Sequence, residues 1–535
     1  MKSNHFDTII VGGGIAGLTS AVYLSRAGKK IVLIEKNEEF GGLVNSFTSD
    51  GFHFEAGVRA LESAGIILPM LEELNIHIQT VRSKVSVGIE DKILHVEDLN
   101  SIQKYKDLLV ELYPESIAEV DDFIRSMRKI MKLLDVLYGI ENPLFKDLKR
   151  DRKYIFKTLL PWLPKFIFTV GKINRLNFPY EAYLENIIKN PSLSDIIGQH
   201  FFKGTPAFFA LSYFSLYLDY FYPLGGVGKI TDALTKKIQE FGGELKPSTM
   251  IKEIHASDNL IVDNEGHKYY YQNLIWAADL KTLYNQTVTK GLSSKVSENF
   301  NSMKDNILAG RGSESVFTLF LQVDLPLSYF ANVSHGHFFY TPSRTGHGSI
   351  HRSELMELLQ NWDKTDKDQI FSWLYRFLKL NTYEISIPGL KDPSLVPENK
   401  TGVIVSFIIE YELFKKVEES GWYNDFRIET ENKIIDILSE SVYPELKNKI
   451  EKQFSFTPIS IKNRIGSTDG SIVGWSFEVP VPVVHKIQKS DKSVITPIPN
   501  IFQAGQWAYS PAGVPMSILT GKLAANRVIK FKNRV

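Results

Sequence analysis

An α/β fold built on a doubly wound parallel sheet is predicted by the opening stretch of the chain, Thr8 to Glu35. Thr8-Ile-Ile-Val11 is a short apolar run, as a parallel strand buried on both faces requires. Gly12-Gly-Gly-Ile15-Ala16-Gly17 follows at G-x-G-x-x-G spacing and opens a stretch, Leu18 to Arg26, whose apolar residues recur at helical intervals. Gly28 ends that helix, and a second apolar run, Lys30-Ile-Val-Leu-Ile-Glu35, stops on an acid. Each part has a physical task. Gly12 permits a tight turn, Gly14 lets the backbone approach a pyrophosphate, and Gly17 lets helix and strand pack closely. The helix start offers unpaired N–H groups and a positive dipole end. Glu35, eighteen residues after Gly17, is placed to accept hydrogen bonds from a ribose. The glycine spacing alone says little, because glycines are common in turns. Strand, glycines, helix, strand and terminal acid together predict a dinucleotide site.

A chain of 535 residues is too long for one compact core, so two or more domains are expected. The formal net charge of +1 gives no reason to expect a nucleic-acid partner. The absence of cysteine excludes disulfides, thiolate metal sites and cysteine redox relays, and suits a reducing compartment. Met1 to Asp7 is short and polar, so no signal peptide is expected ahead of the first strand. Thr496 to Gly521 is uncharged throughout but broken by proline, glycine and polar residues, and Gly204 to Leu218 is only fifteen residues long. Neither reads as a membrane span. A cytoplasmic protein is expected.

Beyond Glu35 and Lys36 come Gly41-Gly42-Leu43 and then Gly51-Phe-His-Phe-Glu55-Ala-Gly57. On these residues the chain resembles the flavoprotein superfamily of bacterial phytoene desaturases, plant carotenoid isomerases and retinol saturases. In those families a Gly-Gly pair follows the second strand and a G-[FY]-x-F-[DE]-x-G segment follows that. Many desaturases and amine oxidases carry Arg after the glycine pair. Leu43 stands there in this chain, as a non-Arg residue often does in isomerases and saturases.

The segment Tyr222-Pro-Leu-Gly225-Gly226-Val-Gly228-Lys229 invites a phosphate-binding P-loop reading. Pro223 occupies the place of the first glycine and Ile230 that of Ser or Thr, so that reading fails. The segment resembles instead the superfamily's return from substrate domain to flavin domain. Ile275-Trp-Ala277-Ala-Asp279 is similar to its strand ending in Ala-Ala-Asp, and backbone near Met250 and Ile251 is then the implied adenine floor. Gly505-Gln-Trp-Ala-Tyr-Ser-Pro-Ala-Gly513-Val514-Pro515 resembles its closing flavin motif. A helix starting at Pro515 aims its positive end at the flavin pyrimidine ring.

The resemblance covers the whole chain and implies non-covalent FAD in an FAD-type, glutathione-reductase-like Rossmann domain with an inserted α+β substrate domain. The expected division gives residues 1–100, 223–282 and 491–535 to the FAD domain, and 101–222 and 283–490 to the substrate domain. Cofactor contacts are implied at Gly12, Gly14, Ile15, Ala16, Gly17, Glu35, Lys36, Gly42, Leu43, Gly57, Met250, Ile251, Ala277, Gly505, Gly513, Val514 and Pro515. His53, Glu55 and Arg59 lie in the motif segment and are read as ordering a loop at least as readily as acting in chemistry.

Residues 105–222 read mostly helical. Lys146 to Lys157 holds six basic and two acidic residues and precedes Leu159-Leu-Pro-Trp-Leu-Pro-Lys-Phe-Ile-Phe168. A basic patch beside Trp, Phe and Leu suits docking on anionic lipid, and a core helix with a solvated basic end suits the pattern equally. The aromatic run through Phe201, Phe208, Phe209, Tyr213 and Tyr217 is expected to line a substrate tunnel, against the plainer reading as core. His335, His337, His347 and His351 sit among Gly and Ser residues. They are expected on a solvated loop rather than at a metal, since no Cys is present and no carboxylate shares their spacing.

The family implies a carbon–carbon double bond in a long apolar polyene or isoprenoid as substrate, in a desaturase, isomerase or saturase. Such chemistry asks little of acid–base side chains. Only one dinucleotide fingerprint is present, so electrons are expected to pass to or from an external quinone, oxygen or reductase. Two alternatives remain: an amine or porphyrinogen oxidase with the same cofactor domain, and a lipid-escort protein that has lost its flavin. Leu43 weighs against amine oxidation, and the intact glycines with Glu35 weigh against the escort reading.

Overall fold

The computed structural model describes residues 4–530. Strand His5–Val11 lies at the centre of the first sheet, parallel to Ile31–Ile34 on one side and to Lys268–Trp276 on the other. Glu244–Lys246 and Ile501–Gln503 extend the parallel set at its two sides. Ile251–His255, Leu260–Asp263 and Lys268–Trp276 form an antiparallel meander that joins the same sheet. At the centre of the sheet residues 9–11, 31–34 and 274–276 are apolar and buried because both faces are covered there. Ile10, Leu33 and Ile275 pack under helices Ile15–Arg26, Gly228–Glu240 and Val514–Lys530. Ile9, Val32 and Leu274 face the meander and helix Leu280–Gln286. The first and last helices meet closely: a Cβ on Gly521 would lie 2.5 Å from the Ala16 carbonyl oxygen.

The second sheet has seven strands in the order Ile450–Phe456, Ser315–Val323, Thr401–Ile409, Tyr383–Ser386, His337–Thr341, Val85–Ile89 and Lys92–Val96. All pairs are antiparallel except His337–Thr341 with Val85–Ile89. Side chains alternate between its faces. Phe317, Leu319, Phe338, Tyr383, Ile385, Val405 and Phe407 pack on helices Lys367–Leu380, Tyr411–Glu419 and Tyr423–Glu440. The opposite face carries Thr318, His337, Glu384 and Ser406 together with Phe320, which packs on Phe54 of a separate two-stranded hairpin, Ser46–Ser49 with Phe52–Glu55. The strand pairings of the hairpin of residues 85–96 lie in this second sheet, whereas a first boundary at residue 100 puts it with the parallel one. A hairpin's alternation does not reveal which sheet it extends.

Residues 101–219 are mostly helical. Ile117–Tyr138 buries Val120, Phe123, Ile124, Met127, Ile130, Met131 and Leu134, the spacing of one helix face. Among the described residues no helix is long and apolar enough to cross a membrane.

The expectation of a solvated histidine loop is corrected. His337, His347 and His351 are buried. His337 is in a strand, and His347 stacks on Phe377 with ring centres 5.1 Å apart. Burial pushes the His347 imidazole down to about 3, partly opposed by Asn381. An unfolded chain protonates this ring near 6.5, about the free value. The unfolded state therefore binds more protons than the folded one from there down to about 3. His347 contributes stability that is complete above that window and falls with acid by about 1.4 kcal/mol per pH unit. In His347→Leu this slope should vanish, so that wild type loses about that much more than the variant for each unit below pH 6.5. Urea unfolding at several pH values reads it; parallel curves contradict it.

Candidate active site

The glycine turn is held from both sides. The Gly12 N–H donates to Ile34 O at 2.9 Å, and φ at Gly12 is +105°, a conformation that favours glycine. A Cβ there would lie 2.7 Å from Ala277 O, and one on Gly17 would lie 1.9 Å from Gly12 O. These two glycines make the turn and its close packing possible. Gly14 differs. A Cβ built on it meets nothing within 4 Å, because the backbone borders open space. Glu35 closes the turn: Oε2 accepts from Gly13 N–H at 2.6 Å, and Oε1 accepts from the Asn37 backbone and side-chain amides, both at 2.9 Å.

A cavity of about 440 Å³ runs from this turn to the second sheet. Its walls include Gly12, Gly14, Ile15, Ala16, Glu35, Gly42, Leu43, Gly57, Ala277, Gly505, Gly513 and Val514, so segments hundreds of residues apart converge on it. The remaining cofactor candidates lie elsewhere. Gly17 packs beneath the turn. The Lys36 ammonium donates to Asn463 O at 3.0 Å. Met250 is largely exposed and follows Thr249, whose N–H reaches Glu35 O at 2.8 Å; Ile251 is buried in its strand. Pro515 borders a second cavity of about 200 Å³ with Gly513, Tyr138 and Phe209.

Of the five aromatic residues expected along a tunnel, Phe209 alone lines either of these cavities. Phe201, Tyr213 and Tyr217 pack in the helical core, with Phe201 and Tyr213 ring centres 5.5 Å apart and Tyr217 stacked on Phe339 at 5.0 Å. Phe208 packs on Leu134, Leu137 and Ile173.

The second-sheet end of the large cavity is polar, and sequence reading missed most of it. Arg59, Tyr220, Thr318, His337, Glu384 and Ser406 line it. Arg59 ties the two-stranded hairpin of Ser46–Ser49 and Phe52–Glu55 to the second sheet: one terminal nitrogen donates to Glu55 O at 2.5 Å, the other to Ser406 Oγ at 3.1 Å and Thr318 Oγ1 at 3.4 Å. Glu55 accepts from the Tyr222 hydroxyl and, at 2.7 Å, from Ser46, tying the return segment down. Asp392 accepts from Gly225 N–H of that segment at 2.8 Å. Lys391 lies under the cluster, donating to Arg59 O at 2.8 Å and Ser386 Oγ at 2.9 Å. Burial pushes its ammonium down to about 7 against the pull of Glu55 and Glu384. Burial alone would raise the Glu384 carboxyl, but His337 at 2.9 Å and Arg59 outweigh it and keep the group below the usual range. An ionised carboxylate only accepts, so His337 Nε2 carries the proton it donates. Among the described residues no three or more His, Asp or Glu side chains converge as a metal site.

The model of the flavin-containing amine oxidoreductase family matches residues 15–529. The chain belongs to this family. Its cofactor is FAD, and it is an FAD-dependent oxidoreductase. It is 20% identical to an all-trans-retinol 13,14-reductase of Danio rerio, over 98% of this chain and 86% of that protein. It is 22% identical to a phytoene desaturase of Fusarium fujikuroi (98% and 90%) and to prolycopene isomerase 1 of an Oncidium hybrid cultivar (98% and 84%). An oxidoreductase from Methanosarcina mazei shares the fold at a TM-score of 0.59 and 14% identity, over 96% of this chain and 98% of that one. The fit to this family's cofactor rests on the open space over Gly14 and on the family motifs meeting around one cavity.

Proposed function

We propose that this flavin enzyme acts on a carbon–carbon double bond of a long apolar polyene or isoprenoid, by desaturation, saturation or cis–trans isomerisation. The observation that carries the reading is the apolar side of the large cavity, where Leu43, Phe456, Ile461, Ile465, Ile472 and Val473 continue from the glycine turn. The full-length relatives named for retinol, phytoene and prolycopene support it. When bound, FAD supplies a two-electron hydride donor or acceptor. In this reading the space over Gly14 holds the pyrophosphate, Glu35 takes the ribose, Met250 and Ile251 lie at the adenine, and the start of helix Val514–Lys530 faces the pyrimidine ring. The apolar wall excludes water and orients the chain of double bonds. Leu43 in place of Arg favours isomerase or saturase over desaturase. Phe209 and the smaller cavity beside Gly513 form a candidate approach for substrate.

Electron count separates the three reactions. Under anaerobic conditions a desaturase bleaches its oxidised flavin with substrate alone, a saturase reoxidises reduced flavin, and an isomerase turns over while its flavin stays reduced. Mixing the protein in each redox state with carotenoids and retinoids, and following the flavin spectrum with the products, tests the proposal. A flavin that responds to primary amines or a porphyrinogen and to no polyene overturns it.

The same reading includes docking on an anionic membrane surface, which would deliver such a substrate. Phe156, Leu160, Leu163 and Ile167 are exposed at four-, three- and four-residue intervals, a single apolar stripe that ends beside Phe168 at 75% exposure. Lys149, Arg150, Arg152 and Lys153 lie just before it. Each basic side chain near anionic lipid contributes about 1 kcal/mol, so reversing these four to Glu should weaken binding by at least roughly a thousandfold, the loss of the four attractions alone. Flotation with phosphatidylserine-containing liposomes reads this, and high salt should weaken the wild type. Binding indifferent to both would remove the lipid surface from the proposal.

A further inference from the structure

The large cavity ends in a group that a bare hydrocarbon leaves unused. Glu384 sits mid-sheet, in a strand paired on both sides and covered on its far face by helices. Yet its side chain is 34% exposed, and the exposure opens into the cavity it lines. Oε1 accepts from His337, whose ring is stacked on Tyr220 at 5.4 Å and 3° and so is fixed in orientation. No described side chain other than His337 is hydrogen-bonded to this carboxylate. Thr318 and Ser406 present hydroxyls on the same face, oriented by Arg59. A charged acceptor at the end of an apolar cavity is costly unless something pairs with it there.

Resting on the polyene reading above, we propose that Glu384 is a specificity-determining residue that receives the hydroxyl of an isoprenoid or polyene alcohol. The choice of alcohol follows from the charges around it. Arg59 and Lys391 stand against Glu55 and Glu384, so the cluster carries no surplus positive charge to hold a substrate carboxylate. An ammonium would meet Glu384 but also face the Arg59 guanidinium. A hydroxyl donates to Glu384 and accepts from the Thr318 or Ser406 hydroxyl, so it suits both kinds of group. His337 is a positioning residue: it holds the carboxylate toward the cavity and does not itself take the ligand.

The test is direct binding to the holoenzyme, read by quenching of tryptophan fluorescence. The probes are retinol, retinyl methyl ether and retinylamine, with geranylgeraniol, its methyl ether and its amine as a second series. Each alcohol should bind at least about tenfold tighter than its ether, which keeps the oxygen and loses the donor. Glu384→Ala should bring alcohol and ether to within about twofold, while Glu384→Gln, which keeps an acceptor oxygen, should retain most of the preference. Unchanged ether affinity in the variants shows that the cavity itself is intact. Equal binding of alcohol and ether by the wild type, or a preference that survives Glu384→Ala, overturns this inference and leaves the polyene reading standing. Tightest binding of the amines overturns it in favour of an ammonium site. No binding by any member of either series overturns both.

Discussion

Gly14→Val should give a folded protein that has lost FAD. Gly14 has φ −70° and ψ 178°, an extended conformation open to any residue. A Cβ there touches nothing within 4 Å, so the chain itself does not resist the side chain. The added atoms occupy the space between the glycine turn and the cavity, where the pyrophosphate must come against the backbone. The expected result is an affinity for FAD at least about a hundredfold weaker, with far-ultraviolet circular dichroism unchanged. The melting temperature should fall only by the stabilisation that bound cofactor adds, which is about 4 kcal/mol when ligand exceeds Kd a thousandfold. Gly17→Val is the contrasting variant. Its Cβ would lie 1.9 Å from Gly12 O, so helix and strand must separate and the fold itself should fail. Acid release and identification of the flavin decides the matter: stoichiometric FAD on Gly14→Val, or FMN or no flavin on the wild type, contradicts the proposed placement.

The glycine turn was legible in the sequence because its parts are neighbours there. Strand, turn, helix and acid occupy a few tens of residues, and each glycine's task is local. The convergence of Gly505, Gly513 and Val514 on the same cavity came from likeness to family motifs, since nothing local at those residues indicates it. The polar end of the cavity was illegible for a physical reason. Thr318, Ser406 and Glu384 are polar residues scattered over three strands, and strand register alone brings them together, Thr318 opposite Ser406 and Ser406 opposite Glu384. Alternation shows that they share the face away from the apolar positions, but not what lies over that face. His337 was obscured by the preceding Ser334-His335-Gly336, which mimics a loop, and its strand pairs with Val85–Ile89, far away in sequence. The aromatic spacing through Tyr213 and Tyr217 correctly marks burial. Periodicity carries no sign of whether a buried ring faces a cavity or another helix.

Arg59→Met should destabilise the protein by about 3–5 kcal/mol, the usual cost of removing one partner from a buried charged cluster. Arg59 is 5% exposed and supplies the cationic bridge from the Glu55 carbonyl to Thr318 and Ser406 of the second sheet. Burial lowers its pKa, but Glu384 and Glu55 oppose that shift, and a guanidinium stays protonated at any pH in use. Methionine fills much of the volume, so the loss measured is chiefly charge and hydrogen bonding. Glu55 keeps the Tyr222 and Ser46 hydroxyls, whereas Glu384 keeps only neutral His337 and the half-charged Lys391 nearby. The burden therefore falls on Glu384. Combining Arg59→Met with Glu384→Gln should recover at least about 1 kcal/mol relative to the sum of the single changes. Arg59→Lys should recover little, because an ammonium cannot span a carbonyl on one side and two hydroxyls on the other as a planar fork does. Urea unfolding of the wild type and the four variants at neutral pH measures each term. A loss below about 1 kcal/mol for Arg59→Met, or strict additivity in the double variant, would mean that Glu384 does not depend on Arg59 and that the hairpin ending at Glu55 is joined to the second sheet by the phenylalanine cluster of Phe47, Phe54, Phe320 and Phe454 instead.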